Sequence, residues 1–416
     1  MGILVQKYGG SSVADVAKIG QVADKVVAAH KSGHDVVVVV SAMGKTTDSL
    51  LELAKSVASA GEDKKEAPRR ELDMLVSTGE RVTMALLSIA IHARGRDAIS
   101  FTGSQSGIIT NDRHFDARII EVRPHRIEDE LSRGRIVIVA GYQGMSYRRE
   151  ITTLGRGGSD TTAVALAAAL GAERCEIYSD VDGVYSADPR VVPDCVHLPT
   201  LDLAMLQEMA EAGAKVLNAQ AVEWARRARI TLHARKTSDP LDESGRPARE
   251  TVAREGKAGG DEPLRAARAV VGLDRVVRLR ARVADLAALA DACGELAVPL
   301  LDVSVAGGSV FGAVPLLNVP DWERRRGELA ARLGGAVTVS GGAAIVSVVG
   351  DGLTTSERGL PRFLSALARA GVNDVSEGLV AGPLRIGACI DAEKLVAAQR
   401  ALHAEFVEPH AEGALH

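Results

Sequence analysis

Residues Thr152 to Thr162 read Thr-Thr-Leu-Gly-Arg-Gly-Gly-Ser-Asp-Thr-Thr and lead into an alanine- and leucine-rich segment, Ala163 to Leu170. Ser159 and Asp160 are strong helix N-cap types, so a helix is predicted to begin there. Glycines allow close backbone approach, and the free N–H groups of a helix N-terminus favour an anion. Arg156 adds a forked cation for a carboxylate or phosphate. The stretch therefore predicts an anion-binding cradle with one acid, Asp160; an ordinary loop before a capped helix is the alternative.

Two further stretches near the N-terminus combine a strand with a turn of small residues. Ile3 to Lys7 is strand-like and precedes Gly9-Gly10-Ser11-Ser12, which opens a helical pattern. Asp35 to Val40 is a valine run, typical of a strand buried on both faces of a parallel sheet, and it ends in Ser41-Ala42-Met43-Gly44. Repeated strand, turn and helix units predict an α/β sheet with ligands beyond the carboxyl ends of its strands.

Neither common nucleotide-binding motif is present. Gly44-Lys45-Thr46 resembles the end of a Walker A loop, but Val39 stands where that motif needs glycine. The glycines around Arg156 do not follow the Rossmann spacing either. The predicted cradles therefore belong to another phosphate-binding fold.

Composition indicates a globular protein of two or three domains, since the 416 residues are 46% hydrophobic and 25% charged. A net charge of −4 and 3% aromatic residues argue against nucleic acid and anionic membranes as partners. Four cysteines without a C-x-x-C motif argue against a disulfide scaffold or zinc site and favour a cytoplasmic location. We expect no signal peptide and no apolar run of the ~20 residues that a membrane span needs.

The composition changes after residue 236, where charged residues, Ser, Gly and Pro replace apolar ones. We therefore predict a catalytic domain over 1–236 and a linker over 237–264. Two related βαββ(α) patterns follow, which predict two small α+β modules over 265–340 and 341–410. Polar clusters are scarce there, so chemistry is expected in the first domain.

Five motifs together resemble those of the aspartate kinases: Lys7 to Val13, Val40 to Asp48, Ser77 to Glu80, Thr152 to Thr162 and Tyr178 to Arg190. The resemblance is strong from Lys7 to about Ala234 and weaker in the tail. It implies a three-layer α/β/α amino acid kinase sandwich followed by two ferredoxin-like (βαββαβ) ACT domains. It also implies the reaction of ATP with L-aspartate to give 4-phospho-L-aspartate and ADP, with Mg²⁺.

The resemblance implies roles for individual residues. Lys7 would contact the transferring phosphoryl group, with Asp160 beside the reacting groups. The residues expected to hold aspartate are Ser41, Thr47, Glu80, Arg156, Gly157, Gly158 and Ser159. The residues expected around the nucleotide and its phosphates are Lys7, Gly9, Gly10, Ser11, Ser179, Asp180, Tyr185, Asp188, Arg190, Lys215 and Val216. No protein side chain is expected as a resident metal ligand.

Departures from the family pattern leave the substrate and its control open. Asn218-Ala219 stands where the family usually has His-Pro, Gln105-Ser106-Gly107 replaces Gln-Ala-Gly, and Lys45 replaces a common acid. The effector loops are expected at 282–285 and 355–359, and they lack the usual Pro-Gly, so inhibition by lysine or threonine is expected to be weak. An aspartate analogue as acceptor, or a non-catalytic regulatory subunit, are the alternatives. An amino acid effector and a homodimer or higher oligomer through ACT pairing are further expectations.

Overall fold

The computed structural model describes residues 2–60, 66–214, 217–242, 244–256, 267–354, 359–375 and 378–407. The chain divides into two compact units. The first comprises Met1–Val184, Pro199–Ala204 and Val216–Ala258, and the second comprises Tyr185–Leu198, Met205–Lys215 and Gly259–His416.

The regular elements alternate between strand and helix through most of the chain. The strands are β1 (Ile3–Tyr8), β2 (Asp35–Val40), β3 (Ala98–Phe101), β4 (Ile108–Thr110), β5 (Ile119–Val122), β6 (Ile136–Ala140), β7 (Gln143–Ser146), β8 (Ile151–Thr153), β9 (Arg174–Ser179), β10 (Val184–Tyr185), β11 (His197–Leu198), β12 (Thr200–Asp202), β13 (Thr231–Lys236), β14 (Thr251–Arg254), β15 (Ala269–Arg282), β16 (Leu301–Ala306), β17 (Ser309–Pro315), β18 (Val337–Val349), β19 (Leu379–Ala381) and β20 (Arg385–Asp391). The helices are α1 (Val16–Lys31), α2 (Thr46–Ser59), α3 (Arg69–His92), α4 (His125–Ser132), α5 (Gly158–Ala169), α6 (Leu203–Glu211), α7 (Ala219–Ala228), α8 (Leu286–Glu295), α9 (Trp322–Arg332), α10 (Gly359–Arg369) and α11 (Leu395–Phe406).

An eight-stranded sheet with the order β12-β14-β13-β9-β1-β2-β6-β3 forms the centre of the first unit. Its pairs are parallel except for β13 with β14. Helices α1 and α3 pack together on one face, and α5 and α7 pack together in the opposite layer. Because β1 and β2 are neighbours in register, their carboxyl ends and the turns that follow them lie at the same edge.

Local sequence explains the central layer. Val36 to Val40 are fully buried, as expected for a β-branched strand covered on both faces. Helix α1 begins where the Asp15 side chain accepts a hydrogen bond from Lys18 N, and it buries Ile19, Val22 and Val26 on one stripe.

A polar, glycine-containing stretch such as Ser77 to Glu80 predicts an interruption of an apolar helix, but α3 runs through it without a break. Gly79 packs so closely that an added Cβ would lie 2.8 Å from the Ala42 side chain, which accounts for glycine inside this helix. Asp73, six residues before Gly79, is fully buried and accepts hydrogen bonds from Thr153 Oγ1 at 2.5 Å and from Phe115 N at 3.0 Å. The helix is thereby tied to a four-stranded sheet with the order β5-β4-β7-β8.

By length and composition, α3 could also cross a membrane, which corrects the expectation that no apolar run reaches that length. Its buried residues include Asp73, Ser77 and Glu80. Buried carboxylates and hydroxyls that bond to neighbouring elements are typical of a core helix in a folded domain, and are costly in lipid.

The second unit is built on a six-stranded antiparallel sheet with the order β16-β17-β15-β18-β20-β19. The long strands β15 and β18 each serve two hydrophobic cores. Val277 and Leu279 pack with α8 and α9 in one core, whereas Val270 and Val346 pack with α10 and α11 in the other. The first core thus has the full βαββαβ order, and the second core takes its last strand from the beginning of β15.

The predicted fold class is confirmed, while several details differ. Strand β14 lies inside the predicted linker and pairs with both β12 and β13, and its residues alternate in burial, with Thr251 and Ala253 buried. The predicted division at 340/341 would assign Val270 to the first module, although it packs in the second core. The second βαββ(α) pattern predicts a strand over 374–379, whereas the strand found there is β19, Leu379–Ala381, and residues 376–377 lie outside the described residues. Domain limits in the tail stay a prediction.

Candidate active site

A buried ion pair marks the carboxyl end of β1. Lys7 Nζ lies 2.7 Å from Asp160 Oδ1, and the two residues are only 9% and 6% exposed. Lys7 is the penultimate residue of β1, and Asp160 is in the first turn of α5. The predicted cation and acid are therefore in contact, in surroundings where water screens charge poorly.

The glycine turn after β1 approaches this pair closely. Gly9 N donates to Tyr178 O at 3.1 Å, and a Cβ on Gly9 would lie 3.5 Å from Lys7 Nζ. A Cβ on Gly10 would lie 2.9 Å from Ala42 O, so only glycine fits without a shift. Gly44 N donates to Gly10 O at 3.0 Å, which joins the turns after β1 and β2. Ser11 is exposed at the rim of this double turn.

The cradle itself is a loop with two left-handed glycines. Gly155 and Gly157 have φ values of 73° and 76°, and Arg156 lies between them. Gly157, not Ser159 or Asp160, is the N-cap of α5. The predicted cap was wrong because the chain is already helical at Gly158, which leaves the Ser159 and Asp160 side chains inside the first turn.

Arg156 extends from this loop towards helix α2. Its side chain is 56% exposed, and Nη2 lies 3.5 Å from Asp48 Oδ1. Asp48 directly follows Thr47 in the first turn of α2. The structure thus brings Arg156 next to the N-terminus of α2. Two predicted aspartate contacts, Ser41 and Thr47, are close to this N-terminus in sequence. Asp48 was part of a quoted motif but was not predicted as a site residue.

Glu80 lies under the turn that follows β2. It is 2% exposed, and Oε1 accepts a hydrogen bond from Ala42 N at 3.1 Å. Oε2 is buried without a hydrogen-bond partner among the residues that the structure describes. Burial raises the pKa of this carboxyl from 4.5 to about 7. A buried carboxylate with one unused oxygen is suited to receive a cationic group.

Replacing Glu80 by glutamine is expected to flatten the pH dependence of stability between about pH 4.5 and about pH 7. Because burial raises the folded pKa to about 7, the folded protein binds more protons than the unfolded chain in this window, and wild-type stability falls as pH rises. Glu80→Gln should gain up to about 3 kcal/mol relative to wild type between about pH 5 and about pH 8. Urea unfolding at both pH values measures this, with the exposed Glu52→Gln as control. Parallel pH profiles for wild type and Glu80→Gln would contradict it.

The predicted nucleotide residues are divided between the two units. Ser179 and Asp180 follow β9, the neighbour of β1, and Ser179 O accepts a hydrogen bond from Thr237 N at 2.9 Å. The residues grouped with the second unit are Tyr185, Asp188 and Arg190. There, the Asp188 side chain accepts a hydrogen bond from Arg190 N at 2.9 Å and closes a local turn. Lys215 and Val216 lie outside the described residues.

Asn218 is a site-adjacent residue whose contacts the sequence did not reveal. It caps α7, which begins at Ala219, whereas the sequence pattern predicts a helix from Ala214 to Ala228. Its Nδ2 donates to Arg156 O at 2.8 Å, and its Oδ1 accepts from Thr161 Oγ1 at 3.2 Å. The one available signal was its departure from the family motif.

Comparison with known sequences and structures fits this arrangement. The sequence model of the amino acid kinase family matches residues 2–235. The aspartokinase of Mycolicibacterium smegmatis is 41% identical over 413 residues, covering 98% of this chain and 96% of the relative. The aspartokinase of Mycobacterium tuberculosis H37Rv is 56% identical over 238 residues, covering 57% and 55% of the two chains. The protein therefore belongs to the amino acid kinase family and, within it, to the aspartokinases.

Solved structures agree on the fold. The crystal structure of E. coli aspartokinase III in complex with aspartate and ADP has a TM-score of 0.84 at 24% identity, covering 98% of this chain and 100% of that one. Aspartate kinase from Synechocystis has a TM-score of 0.53 at 33% identity, covering 99% and 71%. The first match supports the fold of nearly the whole chain, the tail included.

Proposed function

We propose that the protein transfers the γ-phosphoryl group of ATP to the side-chain carboxylate of L-aspartate, giving 4-phospho-L-aspartate and ADP, the first step of the aspartate-family pathway. The observation that carries the proposal is the buried Lys7–Asp160 pair at 2.7 Å, which lies between a glycine turn and the α5 N-terminus. Membership of the aspartokinases supports the choice of reaction.

The chemistry requires charge neutralisation rather than a general base. A carboxylate with an ordinary pKa of about 4 is already ionised at neutral pH, so it can attack directly. The obstacle is repulsion between this carboxylate and a polyphosphate, and positioning with electrostatic stabilisation dominates phosphoryl transfer. In our proposal, Lys7 stabilises the charge on the transferring group, and Asp160 fixes the direction of the Lys7 ammonium. Gly9, Gly10 and Ser11 form the phosphate path.

Aspartate has three charged groups, and the candidate site has complements for them. We assign Arg156 to a carboxylate, because its fork can make two parallel hydrogen bonds. We assign Glu80 to the ammonium, because its buried Oε2 lacks a partner among the described residues. Completing the pocket in this proposal are Ser41, Thr47, Gly157, Gly158 and Ser159.

The nucleotide is proposed to lie beyond β9, against Ser179 and Asp180. Among the described residues, no group of three His, Cys, Asp or Glu side chains could hold a metal. We propose that Mg²⁺ arrives on the ATP phosphates, since Mg²⁺ commonly uses few protein carboxylates and keeps phosphate and water ligands. Bound there, Mg²⁺ would offset phosphate charge.

The remaining assignments follow from composition and family membership. We propose a cytoplasmic location, in keeping with four free cysteines, three of them buried. We also propose that the tail forms ACT domains that pair in a homodimer or higher oligomer. An amino acid effector is the proposed ligand of this tail.

A hydroxamate assay with aspartate and ATP tests the reaction directly, because acyl phosphates react with hydroxylamine. We expect product that depends on ATP, Mg²⁺ and aspartate. No product above a heat-inactivated control would refute the proposal. A panel of dicarboxylic amino acids in the same assay identifies the acceptor, and a higher kcat/KM for another acid would replace aspartate.

Lysine plus threonine is expected to inhibit the enzyme weakly. The stretch Arg282 to Asp285 lacks the Pro-Gly of the family's effector loops and forms a strand end followed by a 3₁₀ turn. Of the second expected loop, 355–359, residues 355–358 lie outside the described residues, and Gly359 is the first residue of α10. Initial rates with both amino acids at millimolar concentration measure the effect, with alanine as control. Strong inhibition at these concentrations would show that the tail retains a working effector site.

A further inference from the structure

The Arg156 loop is connected to helix α7 by one side chain. Asn218 Nδ2 donates a hydrogen bond to Arg156 O at 2.8 Å. Its Oδ1 accepts from Thr161 Oγ1 at 3.2 Å and from Gln220 N at 2.8 Å. A Cβ on Gly157 would lie 2.9 Å from the Asn218 Cβ, so the two segments are in close contact. The carboxamide therefore touches the loop, the first turn of α5 and the start of α7.

The loop needs such a connection because its own sequence is permissive. Glycine gives up more conformational freedom on ordering than any other residue, and Arg156 has a left-handed glycine on each side. Within the loop, Gly158 N donates to Gly155 O at 3.1 Å, which closes the turn around Arg156. The Asn218 hydrogen bond fixes the Arg156 carbonyl from outside that turn, and with it the position from which the guanidinium extends.

An amide at this position does what a carboxylate cannot. Its oxygen accepts while its nitrogen donates, and the acceptor of the donated bond is a backbone carbonyl. Aspartate would keep the cap on α7 and the bond from Thr161, since Asn and Asp cap helices about equally well. It would lose the donor to Arg156 and place a negative oxygen against the carbonyl.

We propose that Asn218 is a positioning residue that holds the Arg156 loop in the conformation required to bind the amino acid substrate. This role rests on the proposed function, because it acts through the carboxylate clamp assigned to Arg156. It also explains how the chain replaces the His-Pro usual in the family with Asn218-Ala219 while keeping the cradle.

The decisive variant is Asn218→Asp, measured by steady-state kinetics. A displaced Arg156 would bind aspartate more weakly in the ground state and in the transition state alike. The KM for aspartate should therefore rise by roughly threefold to tenfold, with kcat and the KM for ATP nearly unchanged. Asn111→Asp is the matched control. Its side chain accepts hydrogen bonds from the backbone N–H of Arg113 and Arg118, so the same charge change leaves those bonds in place.

Amide hydrogen exchange of residues 155–158 provides a readout that does not depend on the reaction. We expect faster exchange in Asn218→Asp than in wild type, with a smaller loss of Tm than in Asn218→Ala because the helix cap is retained. If wild type has no aspartate kinase activity, the proposed function fails, while the exchange rates still decide whether Asn218 holds the loop.

Two results would overturn the inference. Unchanged exchange together with an unchanged KM for aspartate would show that the hydrogen bond to Arg156 has no positioning role. A lower Tm with equal losses for aspartate and ATP would show that Asn218 supports the fold only. Asn218→Ala, which removes the cap as well, gives the reference for that second pattern.

Discussion

Lys7→Ala is expected to lower kcat/KM by about 10²-fold or more, mainly through kcat. Lys7 Nζ is the buried cation at the carboxyl end of β1, beside the glycine turn proposed as the phosphate path. Its charge is most useful when negative charge from two anions is concentrated at the transferring group, which occurs in the transition state. Initial rates at varied aspartate and ATP concentrations separate this effect from weaker binding.

Loss of folding must be separated from loss of catalysis in this variant. Removing Lys7 leaves the Asp160 carboxylate buried at 6% exposure without its cation, which typically costs about 3–5 kcal/mol. Lys7→Ala combined with Asp160→Asn removes both charges and should recover most of the stability but not the rate. Lys31→Ala, at the exposed end of α1, controls for the loss of one positive charge. A folded Lys7→Ala protein with near-wild-type kcat/KM would refute the proposed role.

Arg156→Ala is expected to lower kcat/KM for aspartate by about 10²-fold, largely as a higher KM. The side chain is 56% exposed, and its ion pair with Asp48 spans 3.5 Å, so its removal should cost little stability. What is lost is the forked, charge-assisted recognition of a carboxylate. The measurement is the KM for aspartate at saturating ATP.

Two variants sharpen this result. Arg156→Lys keeps the charge but not the fork, so its KM should lie between those of wild type and Arg156→Ala. Arg148→Ala removes an arginine that is 80% exposed and should leave the kinetics unchanged. The clamp assignment would be abandoned if Arg156→Ala raised the KM for ATP while leaving that for aspartate unaltered.

Much of the first unit could be predicted from sequence because its signals are local. The valine run of β2 and the glycine turns after β1 and before α5 are read from neighbouring residues. Short strands such as β4 and β8 carry only three residues each, too few for a periodic pattern, so the four-stranded sheet was not predicted. The prediction of a break in α3 was wrong, because Gly79 is required by close packing against the Ala42 side chain, which is distant in sequence.

In the candidate site, too, residues within motifs could be predicted from sequence, whereas contacts between distant residues could not. Lys7, Arg156 and Asp160 lie in motifs, and the geometry brings Lys7 and Asp160 into contact. Asn218 could not be assigned a role, because its value depends on a carbonyl oxygen 62 residues earlier in the chain. The ion pair of Asp48 with Arg156 likewise follows only from the folded structure, in which α2 and the cradle loop are neighbours. Contacts of this kind are decided by packing, which sequence patterns do not encode.

The sharing of β15 and β18 between two cores means that the module with α10 and α11 is assembled from two separate pieces of chain, with the continuous module that contains α8 and α9 inserted between them. Residues before Leu273 complete the core that contains α10 and α11, whereas residues after Val276 complete the core that contains α8 and α9. A cut between residues 340 and 341 would divide β18 and leave one half without Val270. The tail can therefore be exchanged between relatives only as a whole, and a break in either long strand damages both modules.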